Sequence, residues 1–105
     1  MARSRKIFAV HPGEILRTEF MEPMGASTYE LAKALNFAGI YEVIRGERAI
    51  SADTAIRLAK YFGLPAQFWL NLQNDYDLRI AEGKGAGKKI KPRRVHRHAE
   101  LTGTR

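Results

Sequence analysis

Residues 27–62 constrain the fold more than any other stretch of the chain, because they predict three short helices in succession. Ser27 followed by Glu30 forms a capping box, in which two backbone N–H groups at a helix start are satisfied reciprocally. The apolar residues that follow fall on one face at helical spacing: Leu31, Ala32 and Leu35. Asn36 comes next and can take the left-handed conformation that ends many helices. The first helix of the three is therefore expected over 27–35.

The second and third of these helices have equally clear signals. Ile40, Val43 and Ile44 supply one apolar face, and Gly46 ends that helix. A small residue in the middle of the preceding helix, Ala32, lets the two helices cross closely, as in a helix-turn-helix. Ser51 is the predicted N-cap of the third helix and Gly63 its C-cap. The predicted inward face of the third helix consists of Ala52, Ala55, Ile56, Ala59 and Phe62.

Two further helices are predicted on either side. The first starts at residues 11–14, with Pro12 at its first position, and Pro23 should stop it near Glu22. The last starts with Pro65 as its first residue. Its apolar stripe, which we expect to be shared between the core and a contact with a second subunit, consists of Phe68, Trp69, Leu72 and Tyr76.

Composition excludes several classes of protein. A chain of 105 residues makes one domain with one modest core. Because there is no cysteine, disulfides and thiolate metal sites are excluded. His96 and His98 lack a third metal ligand, and neither a catalytic constellation nor a phosphate-binding glycine loop is present, so we expect no metal, no cofactor and no enzyme. No apolar run approaches the ~20 residues that span a membrane, and the expected location is the cytoplasm.

The net charge of +7 is concentrated at the two ends of the chain. Residues 83–105 carry eight Lys or Arg and one Glu, whereas residues 7–82 have a net charge of −3. We therefore predict a basic N-terminal arm (1–10), a folded domain (11–82) and a basic C-terminal tail (83–105), with both arms flexible. Basic arms on a mildly acidic body are either solvated tails or contacts to nucleic acid.

Six stretches in order resemble the HigA family of antitoxins, which belong to the λ-repressor-like helix-turn-helix proteins. They are HPGEIL at 11–16, EPMG at 22–25, LAKAL at 31–35, IRGER at 44–48, ISADTAIRLA at 50–59, and FWLNLQ with YDL at 68–78. The resemblance implies an all-α, compact five-helix domain that forms a homodimer. It also implies binding to double-stranded operator DNA of its own operon as an autorepressor, and neutralisation of an RNase toxin encoded beside it.

The chain departs from the usual helix-turn-helix pattern in one place. With Ala32 as the fifth residue of the motif, the apolar positions 15 and 18 fall on Glu42 and Arg45. The connection after Leu35 is therefore two residues short, where family members carry polar side chains. Because Ile40, Val43 and Ile44 are apolar, we still expect them to dock on the preceding helix. Phe37 should serve as the apolar residue of the turn, and Gly39 should relieve the strain of a tighter bend. The residues that we expect nearest to DNA are Thr28, Tyr29, Ala38, Gly39, Tyr41, Glu42, Arg45 and Arg48. Of these, Arg48 is better suited to contact phosphate than bases.

Three functional readings remain open at this point. The first is a DNA-binding antitoxin and autorepressor of the HigA type. The second is a toxin-binding interaction module whose specific DNA readout is degraded by the shortened connection, because Ala38 and Gly39 offer no side-chain donors or acceptors to bases. The third is a small basic RNA-binding protein, which rests only on the tail.

Overall fold

The computed structural model describes residues 9–93, which contain five helices and no strand. Helix α1 is continuous and has three segments, Pro12–Ile15 (α), Leu16–Met21 (π) and Glu22–Met24 (α). The other helices are α2 (Thr28–Leu35), α3 (Ile40–Ile44), α4 (Ala52–Phe62) and α5 (Ala66–Gly83). The predicted all-α, five-helix fold is confirmed. Residues 1–8 and 94–105, including His96, His98 and much of both basic arms, lie outside the described part of the chain.

Helix α1 ends two residues later than expected. Proline lacks a backbone N–H and crowds the carbonyl four residues earlier, so it normally breaks an α-helix. Here the wider π turn before Pro23 accommodates it: the N–H of Glu22 bonds to the carbonyl of Arg17, five residues back. The helix ends only at Gly25, whose φ of 68° is left-handed. Pro23 is therefore the site of a widened turn instead of the end of the helix.

The predicted caps of α2 and α4 are confirmed. Ser27 Oγ accepts from the N–H of Glu30 at 3.0 Å, and the Glu30 carboxylate accepts from the N–H of Ser27 at 2.8 Å. Asn36 has φ 54° and ends α2, and Ser51 caps α4 through the N–H of Thr54. Because each cap is a local interaction within a few residues, sequence alone is enough to place it.

The core lies where all five helices meet, and Trp69 of α5 is its largest fully buried side chain. Its ring lies 4.9 Å from that of Phe20 and 5.8 Å from that of Phe62, so α1, α4 and α5 share one aromatic cluster. The remaining buried apolar residues are Leu16, Met21, Leu31, Leu35, Ile40, Val43, Ile50, Ala55 and Leu58. None of the helices in residues 9–93 is long and apolar enough to cross a membrane.

The inward face of α4 differs from the predicted one. Ile56 is 55% exposed and Ala52 is also exposed, whereas Thr54 and Leu58 are buried beside Ala55. The predicted set combined residues from two neighbouring faces, because Ile56 lies about 100° around the helix from Ala55. Thr54 is polar but its hydroxyl bonds with Ser51 Oγ at 3.2 Å, which permits its burial.

A buried glutamine of α5, Gln73, joins this helix to the segment before α4, and no sequence pattern had indicated its role. The Gln73 Oε1 atom accepts from the N–H of Ile50 at 2.8 Å, and its Nε2 donates to Asp77 at 2.9 Å. Its side chain thus satisfies a backbone group that has no helical partner, and it fixes the exit of the chain from the helix-turn-helix.

His11 is the N-cap of α1, and its Nδ1 accepts from the N–H of Gly13 at 2.9 Å. Burial lowers the pKa of His11 below its ordinary 6.5, and the charge of Asp77 opposes this only in part. As the pH falls, His11 is protonated in the unfolded chain before it is protonated in the folded one, and this favours unfolding. The stability that the neutral His11 contributes is therefore fully present above pH 6.5 and is lost as the pH falls through the pKa of His11 in the folded protein.

We expect unfolding measured by circular dichroism to show this loss in the wild type. His11→Ser keeps a side-chain oxygen at the cap but does not titrate in this range. The difference in unfolding free energy between wild type and His11→Ser should therefore shrink or reverse as the pH is lowered below neutrality. Identical pH dependence in the two proteins would show that His11 protonation does not affect the fold.

Candidate nucleic-acid interface

The connection between α2 and α3 is a tight turn of residues 36–39. The N–H of Phe37 bonds to the carbonyl of Ala32, and the N–H of Tyr41 bonds to the carbonyl of Ala38, each at 3.1 Å. Helix α3 then has only five residues. Ile40 and Val43 are nevertheless fully buried, which confirms that they dock on α2 despite the short connection. The shortening thus removes length from the turn and the start of α3, and leaves its packed face intact.

Phe37 packs partly buried against the core, as expected for the apolar residue of the turn. The expected reason for Gly39, relief of backbone strain, is wrong: its φ is −61°, which any residue adopts. The reason is space, because a Cβ at this position would overlap the Phe37 ring, with Cε1 only 2.7 Å away. A side chain at position 39 would therefore displace the Phe37 ring from the shortened turn.

Arg57 of α4 holds this turn in place, and sequence reasoning missed it. Its Nη1 donates to the carbonyls of Leu35 and Asn36 at 2.9 and 3.1 Å, at the C-terminal end of α2, where a positive charge is favourable. Its guanidinium also lies over the Phe37 ring, 5.7 Å from the centroid, and pairs with Asp53 at 2.8 Å. The partners are about 20 residues apart in sequence, so no local pattern could have revealed the contact.

Three of the predicted DNA-contacting residues line one exposed groove between α2 and α3. Tyr29 is 62% exposed on α2 and Tyr41 is 37% exposed on α3, with Ala38 between them. The groove has a volume of about 380 Å³, and Lys33 stands at its edge with its ammonium 5.5 Å from the Tyr29 ring centroid. Thr28, half-buried at the first position of α2, does not line the groove.

The charged residues predicted for this surface lie in two ion pairs at the end of α3. Arg48 donates to Glu42 at 2.6 Å, and Arg45 donates to Glu47 at 3.1 Å. The hydrogen bond to Glu47 and the negative charge of Glu47 raise the pKa of Arg45 above its ordinary value. All four side chains are about half exposed, so the surface is polar and accessible but its charges cancel.

The predicted stripe on α5 is divided between the core and the surface. Trp69 has no exposed surface, so it cannot contact a second chain, and it is removed from the expected subunit contact. Phe68, Leu72 and Tyr76 remain half-buried. Leu72 and Tyr76 line a groove of about 370 Å³ on the outer side of α5, together with Val10, Ile15, Asp75 and Arg79.

Comparison with known proteins gives the same fold and motif. Residues 19–69 match a family described as helix-turn-helix. Virulence-associated protein I of Dichelobacter nodosus is 57% identical over 76 residues, which are 70% of each chain. Antitoxin HigA-1 of Vibrio cholerae is 38% identical over 78 residues, which are 72% of this chain and 73% of that one.

A solved Pseudomonas aeruginosa protein in complex with its operator DNA superimposes with a TM-score of 0.78 and 42% identity, over 83% of this chain and 99% of the other. On these grounds the chain belongs to the XRE-type helix-turn-helix family that includes the HigA antitoxins.

Proposed function

We propose that the protein is an antitoxin of the HigA type, which binds the operator of its own operon as a dimer and neutralises an RNase toxin encoded beside it. The observation that carries the DNA-binding part is the exposed α2–α3 groove, held on a packed helix pair, in a chain 42% identical to one solved on its operator. The toxin rests on the family alone.

A gel shift tests the DNA-binding part. The probes are a duplex from the region upstream of the gene, a random duplex of the same length and composition, and an RNA hairpin. Preference for the upstream duplex supports the proposal. Equal binding of both duplexes supports the interaction-module alternative, and preference for the hairpin supports an RNA-binding protein.

Co-expression with the neighbouring reading frame tests the toxin part. The proposal requires that the two proteins co-purify and that the RNA cleavage seen with the neighbour alone disappears. If the neighbour cleaves no RNA or does not bind this protein, the antitoxin assignment fails while the DNA-binding assignment stands.

The alternative, a toxin-binding module with weakened DNA readout, is favoured by one specific observation. The tip of the motif consists of Ala38 and Gly39, and α3 has only five residues. A good bidentate contact to a base contributes roughly 1–3 kcal/mol of discrimination, and few side chains remain here to make one.

Restoring the missing length tests this alternative. Inserting two polar residues between Phe37 and Ala38 should sharpen discrimination between the upstream and random duplexes by roughly tenfold, the equivalent of one base contact. The buried face of α3 is unaffected, so thermal stability should change little. If the unmodified protein already prefers its operator by orders of magnitude, the shortened tip is not a defect in readout.

The proposed dimer is held by the outer face of α5 through Phe68, Leu72 and Tyr76. A two-fold dimer would place two α3 helices about 34 Å apart, one turn of DNA, to meet a palindromic site. The groove beside this face is lined by apolar residues and by Asp75 and Arg79, which pair with each other at 3.6 Å. In a two-fold dimer these two side chains could exchange partners, so that each carboxylate meets the arginine of the other copy.

Sedimentation at micromolar concentration tests the interface. We expect Leu72→Glu to give monomers, because an uncompensated charge at a closed apolar contact is costly. Leu78→Glu is the matched control: it makes the same change on the same helix at a residue that is 60% exposed and outside the groove. If both variants sediment like the wild type, α5 is not the interface.

A further inference from the structure

The ion pair between Glu42 and Arg48 bears on how the protein discriminates between DNA sequences. Arg48 is the cation of the motif best placed for phosphate, yet both its Nε and Nη2 lie 2.6 Å from the same Glu42 oxygen. Its guanidinium also lies over the Phe37 ring, 5.7 Å from the centroid. In the free protein, Arg48 is thus paired within the chain, and a phosphate must compete with Glu42 for its Nε and Nη2 donors.

The neighbouring pair reinforces this state. Arg45 is bonded to Glu47, so the segment after the turn has two arginines and two glutamates and no net charge. Phosphate can accept from the Nε and Nη2 edge of either arginine only if a carboxylate gives up that edge, and while the pair stays closed the carboxylate charge repels phosphate. A carboxylate left unpaired beside the DNA backbone costs affinity unless it meets a donor.

We propose that Glu42 is a specificity residue that competes with phosphate for Arg48 except on sites that place an exocyclic amino group at the position that Glu42 faces. In the major groove such donors are the N4 amine of cytosine and the N6 amine of adenine, and a glutamate accepts from them. On a matching site the amine replaces Arg48 as the partner of Glu42, and Arg48 transfers to phosphate. On other sites the pair stays closed and one phosphate contact is lost.

This inference rests on the proposed DNA binding, and its test uses the full-length protein with the upstream and random duplexes. Glu42→Ala should raise affinity for the random duplex by up to roughly eightfold at ~0.1 M salt, and steepen its logarithmic salt slope by about 0.9, because one phosphate contact is gained. Preference for the upstream duplex should fall. Glu42→Gln, which keeps the side-chain shape, should show the same gain on random DNA.

Two controls separate release of Arg48 from the simple loss of a negative charge. Glu22→Ala removes the same charge at the far end of α1, where Glu22 pairs with Arg17, and should change neither slope nor preference. In an Arg48→Met background, Glu42→Ala should no longer steepen the slope. If Glu42→Ala raises affinity for the random duplex equally with and without Arg48, the proposal is overturned.

A scan of single base pairs through the upstream duplex identifies the amino group. At one position per half-site, wild type should lose affinity when C or A on the contacted strand is replaced by G or T, because that change moves the amine to the opposite strand. The affinity of Glu42→Ala should not change at that position. If wild type prefers the upstream duplex but Glu42→Ala retains every positional preference, the inference fails and the proposed function stands. If wild type shows no preference at all, the proposed function fails first.

Discussion

Gly13→Ala should lower the free energy of unfolding by roughly 3 kcal/mol or more, at the upper end of the range for overpacked cores. Gly13 is buried in the first turn of α1, and a Cβ there would overlap the backbone carbonyl of Val43, with the carbonyl carbon 2.8 Å away and the Cα of Ile44 at 3.0 Å. Backbone atoms cannot rotate aside as a side chain can, so α1 and α3 must separate.

Thermal unfolding measures this effect. For a domain of this size, a loss of 3 kcal/mol corresponds to a fall in Tm of about 12–24 °C. The matched control is Gly83→Ala, at the end of α5, where no atom lies within 4 Å of the added Cβ. Because alanine is the better helix former, the control should be neutral or slightly stabilising. If Gly13→Ala melts within a few degrees of the wild type, α1 does not approach α3 as closely as the structure shows.

The same contact explains why Gly13 was not recognised from sequence. Pro12 fits the first position of a helix, and no local rule requires glycine at the position that follows. The need for glycine comes from α3, about 30 residues away, which the local pattern does not include. Gly39 is a similar case: a turn glycine was predicted for its backbone freedom, and the structure shows that it leaves room for Phe37.

Local signals, in contrast, placed the helices well. The capping box of Ser27, the left-handed Asn36 and the cap at Ser51 are satisfied within a few residues, so their sequence pattern determines their structure. The apolar period identified α5 as amphipathic but could not say which of its aromatic residues is enclosed. Burial of Trp69 depends on Phe20 and Phe62, which come from two other helices.

The position of the candidate interface could be predicted from the sequence, but most of its side-chain contacts could not. Tyr29, Ala38 and Tyr41 follow from the motif and share one groove. The ion pairs of Glu42 and Arg45, and the hold of Arg57 on the turn, depend on side-chain positions fixed only after the helices pack. Sequence therefore indicated which surface is the candidate for DNA contact, but not that the charges on that surface are paired with each other.

Because the charges on the motif are paired, we expect the basic tail to be the main source of affinity for DNA. Residues 7–82 carry a net charge of −3 and on their own repel phosphate. The cations after α5 that the structure describes are all exposed: Lys84, Lys88, Lys89, Lys91 and Arg93. Further arginines follow at 94, 97 and 105, outside the described residues. Affinity from such a segment is independent of sequence and strongly dependent on salt.

Ending the chain after Ala86 removes seven basic residues but keeps the turn that closes α5, in which Ala86 N–H bonds to the carbonyl of Ala81. If three of the seven contact phosphate, the logarithmic salt slope falls by roughly 2.7 and affinity at ~0.1 M salt falls by roughly 500-fold. Upstream and random duplexes should weaken alike, because phosphate contacts carry no sequence information. Fluorescence anisotropy across a salt series measures both quantities.

A full-length variant with Lys88, Lys89 and Lys91 changed to Gln distinguishes charge from chain length. It should reproduce most of the loss if the start of the tail contacts DNA, since glutamine keeps the length but releases no counterions. A truncated protein that retains the full salt slope would contradict the prediction and leave the N-terminal arm or the motif as the source of affinity. If the motif is that source, phosphate must draw Arg45 and Arg48 away from their glutamates, and the Glu42→Ala variant should show the larger change.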